Sequence, residues 1–202
     1  ISGDALTDVD LTKLIERHKS HGGVATLTVK RVDDTREYGV VLHDSEGRIT
    51  GFQEKPDPEE ALSDLGNCGI YVFSPEIFDY FPDQPAVDFA LDVFPALLDN
   101  DVPFHVHEID AYWNDVGSLP EYLQGNLDAL QGGVTVELEG ELLEPSGGED
   151  ALEAGEPGVS GRVLAAEGCR IDPTARLDGP LVIGRESSVG SGACLKESVV
   201  LP

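Results

Sequence analysis

The chain has 202 residues, 40% of them hydrophobic, enough for one sizeable core or for a domain with a smaller companion. Its 39 Asp and Glu against 13 Lys and Arg leave a net charge of -26, and the acids are scattered along the whole sequence. A surface this acidic repels DNA, RNA and anionic lipid. It suits a protein that stays hydrated in concentrated salt, where screening shortens repulsion to about 3 Å at 1 M, so a halophilic source is expected.

The three cysteines, Cys68, Cys169 and Cys194, are widely spaced and form no Cys-x-x-Cys pair. They imply neither a disulfide framework nor a zinc site, and a reducing cytoplasm is the expected compartment. No apolar run approaches membrane-spanning length, and no segment has the pattern of a signal peptide. The sequence has no Met. It opens on Ile1-Ser2-Gly3-Asp4, which reads as a strand finishing in a tight turn, so an N-terminal part is expected to precede it.

Asp8 or Asp10 can cap a helix over about Leu11 to Ser20, with Leu11, Leu14 and Ile15 on one face and His21-Gly22-Gly23 ending it. Val24 to Val32 is β-branched and alternating, which predicts a strand. A hairpin follows, with Tyr38-Gly39-Val40-Val41 as one arm, Asp44-Ser45-Glu46-Gly47 as the turn and Gly51-Phe52-Gln53-Glu54-Lys55-Pro56 closing it. Neighbouring strand residues point to opposite faces, so Glu54 and Lys55 can share one spot only if the backbone twists or bulges there. By themselves these six residues read as a solvated hairpin end. Lysine is scarce, however, and of Lys13, Lys19, Lys30, Lys55 and Lys196 only Lys55 lies in a motif-like context.

Asp57 to Asp64 reads as a loop or short helix, and Asn67 to Phe73 as a buried strand. Ser74-Pro75-Glu76 starts a short helix. Phe89 to Leu98 has helical spacing, with Pro95 predicting a kink or break. Val102 to Ile109 alternates as a strand, with His105 and His107 on one side as surface histidines and no third metal ligand nearby. Ala111 to Ser118 leads from a short strand into a turn. A helix then places Tyr122, Leu123, Leu127 and Leu130 on one side. This alternation suits a three-layer α/β domain, with Asp4 and Asp115 at strand ends, where ligands gather in open α/β sheets. Gly132 to Pro157 is rich in Gly and Glu and reads as a linker with one short strand at Val134 to Leu138.

From Val159 a repeat begins. Val159, Ala165, Ile171, Leu177, Ile183, Val189, Leu195 and Leu201 recur every six residues. Val163, Cys169, Ala175, Leu181, Ser187, Ala193 and Val199 follow them four residues later. A hexad is the period of a β-helix whose triangular coils point one apolar residue inward per side, with Gly168, Gly179, Gly184, Gly190 and Gly192 at corners. No polar capping coil precedes Pro202, so further coils are expected beyond it.

Two aspartates at strand ends and a Glu-Lys pair suggest Mg²⁺-assisted chemistry on phosphates, because Mg²⁺ takes one or two carboxylates plus phosphate oxygens and water. Singly, Asp4 and Asp115 read equally as helix-start and turn residues. As a set, Gly3-Asp4, Tyr38-Gly39-Val40, Phe52-Gln53-Glu54-Lys55-Pro56, Asn67-Cys68-Gly69-Ile70-Tyr71-Val72-Phe73, Asp92-Val93-Phe94-Pro95 and Tyr112-Trp113-Asn114-Asp115-Val116-Gly117 resemble the sugar-phosphate nucleotidyltransferases. The likeness is greatest to the mannose-1-phosphate guanylyltransferase and glucose-1-phosphate thymidylyl- or uridylyltransferase branch, and the C-terminal β-helix matches as well.

The resemblance implies part of a three-layer, Rossmann-like α/β nucleotidyltransferase domain over 1–131, a linker over 132–158 and the start of a left-handed parallel β-helix over 159–202. It implies that Asp4 and Asp115 hold Mg²⁺. Tyr38, Gly39, Glu54, Lys55 and Asn67 would bind the sugar 1-phosphate: Gly39 lets the backbone approach the sugar, Glu54 accepts from its hydroxyls and Lys55 neutralises its phosphate. Asp4, Asp115 and Lys55 would carry catalysis with a nucleoside triphosphate as the second substrate. A homo-oligomer is expected, with no nucleic-acid or membrane partner. The family's glycine-rich loop, with its Arg and Lys-Pro that grip the triphosphate, has no counterpart in these residues, so they are expected to be inactive alone. Ser2 stands where the family usually has an amide or another polar residue. The alternatives are a non-catalytic regulatory or scaffold subunit, and a hexapeptide acyltransferase. The latter needs a histidine in the coils, whereas His18, His21, His43, His105 and His107 all precede them.

Overall fold

The computed structural model describes residues 1–146 and 155–202; residues 147–154 of the expected linker lie outside the described residues. The chain forms two compact units. The first comprises Ile1–Ala5 and Val9–Trp113, the second Leu6–Asp8 and Asn114–Pro202.

In the first unit, α1 (Leu11–His21) starts at Asp10, whose carboxylate accepts from the Thr12 and Lys13 amides at 3.0 and 3.1 Å. It ends at Gly22 in the left-handed region. Leu14 is fully buried, while Leu11 and Ile15, expected on the same face, stay about 40% exposed. One sheet has the order β4-β3-β5-β2-β6: β2 is Ala25–Arg31, β3 Gly39–His43, β4 Ile49–Glu54, β5 Leu65–Phe73 and β6 Phe104–Glu108. All its neighbours are antiparallel except β2 and β6, which run parallel. On one face Cys68, Ile70 and Ile109 cluster with Leu14 of α1. The main core gathers Leu27, Val29, Val41, Ile49, Phe94 and Phe104. Phe52 of the hairpin stacks on Phe94 at 5.5 Å.

The Pro95 break takes a definite form. Phe89–Val93 makes a π turn, and α2 (Phe94–Asp99) restarts with Pro95 in its first turn, where its missing N–H costs nothing. The expected strand at Ile1–Asp4 is a turn instead, and the strand β1 is Ala5–Thr7, paired with β7 (Trp113–Asp115).

In the second unit, α3 (Leu119–Gln131) is capped by Ser118 and ends at left-handed Gly132. Gly125 and Leu130 are its buried residues, whereas Tyr122 and Leu123 are over a third exposed. The short strand expected at Val134–Leu138 is not formed. The paired segment is β8 (Glu141–Leu143), because the ladder places Leu142 opposite Leu164 and Leu143 opposite Val163. The remaining strands are β9 (Gly158–Ser160), β10 (Val163–Ala165), β11 (Arg170–Ile171), β12 (Arg176–Ile183), β13 (Ser188–Val189) and β14 (Cys194–Val200). They pair in parallel: Val163 lies opposite Leu181, Arg170 opposite Ser188 and Arg176 opposite Cys194, each 18 residues on, and past an irregularity between Asp178 and Leu181 the β12–β14 offset becomes 17, with Leu181 opposite Ser198. Val159, Val163, Ala175, Leu177, Leu181, Ile183 and Val189 form their common core.

Candidate functional site

The β3–β4 hairpin is pinned at its tip. Gly47 accepts from the Val106 amide at 2.9 Å, and Arg48 forms an ion pair with Asp101 at 2.6 Å. At its other end Gly39 lies directly opposite Glu54. A Cβ on Gly39 would stand 3.3 Å from Glu54 Oε2, so the bare glycine leaves the space that this carboxylate occupies. Lys55 follows with φ of 45°. That left-handed kink is the twist needed for adjacent Glu54 and Lys55 to escape strict alternation, and for a lysine it is strained. The Lys55 amide donates to the Tyr38 carbonyl at 3.2 Å, and the Thr35 hydroxyl donates to the Pro56 carbonyl at 2.7 Å. Both side chains of the pair are exposed, and neither makes an ion pair among the described residues.

Tyr38 packs its ring 5.2 Å from Trp113. Trp113 Nε1 donates to the Cys68 carbonyl at 3.0 Å. Asn67 lies on β5, with its amide donating to the Tyr71 hydroxyl at 2.9 Å and its carbonyl accepting from the Gly69 amide at 3.1 Å. Thus Tyr38, Gly39, Glu54 and Lys55 come together, and Asn67 sits on the neighbouring strand. Burial pushes the Tyr71 hydroxyl above its ordinary range, with the Asn67 hydrogen bond opposing it.

Gly69 marks a bulge. Between Leu27 opposite Tyr71 and Val29 opposite Asn67 the register slips, and Gly69 takes φ of 68°. The Ser2 amide donates to its carbonyl at 2.9 Å, and a Cβ on Gly69 would come 3.0 Å from Ser2 Cβ. The Ser2 hydroxyl in turn donates to Asp4 Oδ1. This bond holds the exposed Asp4 carboxylate below its usual range. Asp4 is an exposed carboxylate, a hard oxygen donor of the kind Mg²⁺ accepts beside phosphate oxygens and water. Asp115, half-buried at the end of β7, belongs to the second unit. Among the described residues no group of three or more His, Cys, Asp and Glu side chains could cage a metal.

The contact of Ser2 with the Gly69 bulge is not legible in the sequence. The signal was a glycine inside an apolar strand. Lys30 was also missed: its ammonium donates to the Ala111 carbonyl at 2.8 Å, two residues before Trp113. His105 is no lone surface residue. Its ring lies 4.0 Å from that of His21, which accepts from the Gly23 amide and bonds the Thr26 hydroxyl at 2.7 Å.

The profile of the nucleotidyl transferase family matches residues 1–132, and the chain belongs to that family. It is 36% identical over 206 residues to a UTP–glucose-1-phosphate uridylyltransferase of Synechocystis, covering 99% of this chain and 53% of that protein. It is 33% identical over 200 residues to a mannose-1-phosphate guanylyltransferase of Mycobacterium tuberculosis, covering 98% of this chain and 50% of that one. The chain thus spans about half the length of these relatives. A UTP-bound UGPase from Acinetobacter baumannii superposes with a TM-score of 0.53 at 23% identity, over 64% of this chain and 49% of that one, which shows a shared mixed α/β fold. Among the described residues no helix is long and apolar enough to cross a membrane.

Proposed function

We propose that this chain carries the sugar-phosphate half of an enzyme that transfers a nucleotidyl group from a nucleoside triphosphate to a sugar 1-phosphate. The observation that carries the reading is the hairpin end, where the Glu54 carboxylate fills the space left by bare Gly39 and the exposed Lys55 follows in the left-handed region. Family membership and the names of the relatives support the same reaction.

In the proposed reaction an oxygen of the sugar phosphate attacks the α-phosphorus of the triphosphate. The bond from that phosphorus to the bridging oxygen breaks, and pyrophosphate leaves. Glu54 accepts from sugar hydroxyls and fixes the ring, with Asn67 and Tyr38 as further contacts. Lys55 offsets the charge of the sugar phosphate, so that one anion can approach another. Asp4 and Asp115 would hold Mg²⁺, which supplies charge neutralisation at the phosphates. The protein otherwise contributes positioning.

Residues 1–131 are assigned to the nucleotidyltransferase domain, 132–158 to a linker and 159–202 to a hexapeptide-repeat, left-handed parallel β-helix. The 18-residue offset of β10 on β12, of β11 on β13 and of the first half of β12 on β14, equal to three hexads per coil, supports that last assignment. Stacked coils offer edges for self-association, so a homo-oligomer is proposed. Cys68, Cys169 and Cys194 form no disulfide among the described residues, which suits a reducing cytoplasm, and the net charge of -26 suits high salt. These 202 residues contain no glycine-rich triphosphate loop, so they are expected to bind sugar phosphate and not to turn over alone.

The test is pyrophosphate release in high salt with Mg²⁺, from the chain made together with whatever its gene encodes before Ile1. Four nucleoside triphosphates are paired with a panel of sugar 1-phosphates, beside Asp115→Ala. Release that needs both substrates and vanishes in the variant supports the reading and names the substrates. No release from folded protein moves the assignment to a regulatory or scaffold subunit.

A further inference from the structure

We infer that Ser2 is a positioning residue that, with the Gly69 bulge, sets the Asp4 carboxylate for a divalent cation; the inference rests on the proposed metal role of Asp4. Ser2 is held at two points. Its amide donates to the Gly69 carbonyl at 2.9 Å, and its hydroxyl donates to Asp4 Oδ1. The approach is close because Gly69 has no side chain: a Cβ there would come 3.0 Å from Ser2 Cβ, and φ of 68° disfavours any other residue. The bulge is fixed independently by the Asn67 carbonyl, which accepts from the Gly69 amide, and by Trp113, which donates to the Cys68 carbonyl.

Asp4 is exposed and lies in a turn, where an unassisted carboxylate would rotate freely. The Ser2 hydroxyl occupies Oδ1 and so orients Oδ2 for a second ligand. Groups that orient a metal-binding carboxylate in this way typically contribute about 10- to 100-fold in metal affinity.

The experiment is a Mn²⁺ titration of the 202-residue protein by electron paramagnetic resonance, in high salt with glucose 1-phosphate present. Emission of Trp113, the only tryptophan, reports the bulge. Ser2→Ala is expected to weaken Mn²⁺ binding about tenfold or more with Trp113 emission unchanged, and Ser2→Thr, which keeps the hydroxyl, to restore it. Asp4→Asn separates the two claims. If Asp4→Asn loses Mn²⁺ while Ser2→Ala binds as the parent does, the role of Ser2 is overturned and that of Asp4 stands. If Ser2→Ala loses Mn²⁺ but shifts the emission and is not rescued by threonine, Ser2 is only structural and the inference fails. Undiminished Mn²⁺ binding by Asp4→Asn overturns both.

Discussion

Lys55→Gly should make the protein more stable and less able to hold its ligand. Lys55 has φ of 45°, and its exposed side chain makes no ion pair among the described residues. The left-handed region costs a residue with a Cβ roughly 1–2 kcal/mol, and glycine almost nothing. Against this, glycine loses about 0.5–1 kcal/mol more backbone entropy on folding. The net gain expected is about 0.5–1 kcal/mol. The Lys55 ammonium, however, is assigned to the phosphate of the sugar 1-phosphate, and a hydrogen bond to a charged group contributes about 1.5–3 kcal/mol. Its loss should weaken binding about 10- to 150-fold. Chemical denaturation at fixed salt measures the first quantity, and calorimetric titration with glucose 1-phosphate and mannose 1-phosphate the second. Lys55→Ala keeps the strain and drops the charge, so it should match glycine in binding and the parent in stability. A destabilised Lys55→Gly would refute the strain argument. Parent-like affinity in both variants would refute the phosphate assignment.

Gly39→Ala should leave stability within about 1 kcal/mol, because the added Cβ meets the movable end of Glu54 at 3.3 Å rather than backbone. The same calorimetry should show about a tenfold loss of sugar phosphate affinity as Glu54 is displaced. Acidification should destabilise the first unit. Burial, then the neighbouring His105 and His18, bring His21 down from 6.5 to about 4, so between those values the unfolded chain binds more protons and stability falls as pH falls. At pH 5 the cost is at most about 2 kcal/mol, roughly halved for partial exposure. Denaturation at pH 7.5 and 5.0 should show it, and His21→Gln should flatten the difference. Leu181→Ala, at a fully buried position of the parallel-strand core, should cost about 2–5 kcal/mol. Faster amide exchange in β10, β12 and β14 would register it.

Local patterns in the sequence determined much of this protein. The Asp10 cap, the Gly47 turn, the β5 run and the proline at the head of α2 act over a few residues, where propensity and hydrogen-bonding geometry decide. Of the positions spaced by six, Val163, Leu177, Leu181 and Ile183 are buried, whereas Leu201 stays 62% exposed. Tertiary structure alone decided what depends on a partner. Val134–Leu138 has strand-like residues, yet β8 formed at Glu141–Leu143, where β10 offers its edge. Leu11 and Ile15 have helical spacing with Leu14, but of the three only Leu14 is fully buried. At the candidate site, Glu54 and Lys55 were visible as neighbours, while the left-handed turn that frees them from strand alternation was not. Ser2 and Gly69 are 67 residues apart, and no periodicity connects them. Only the slipped register of β5 against β2 brings a bare glycine to the serine that holds Asp4.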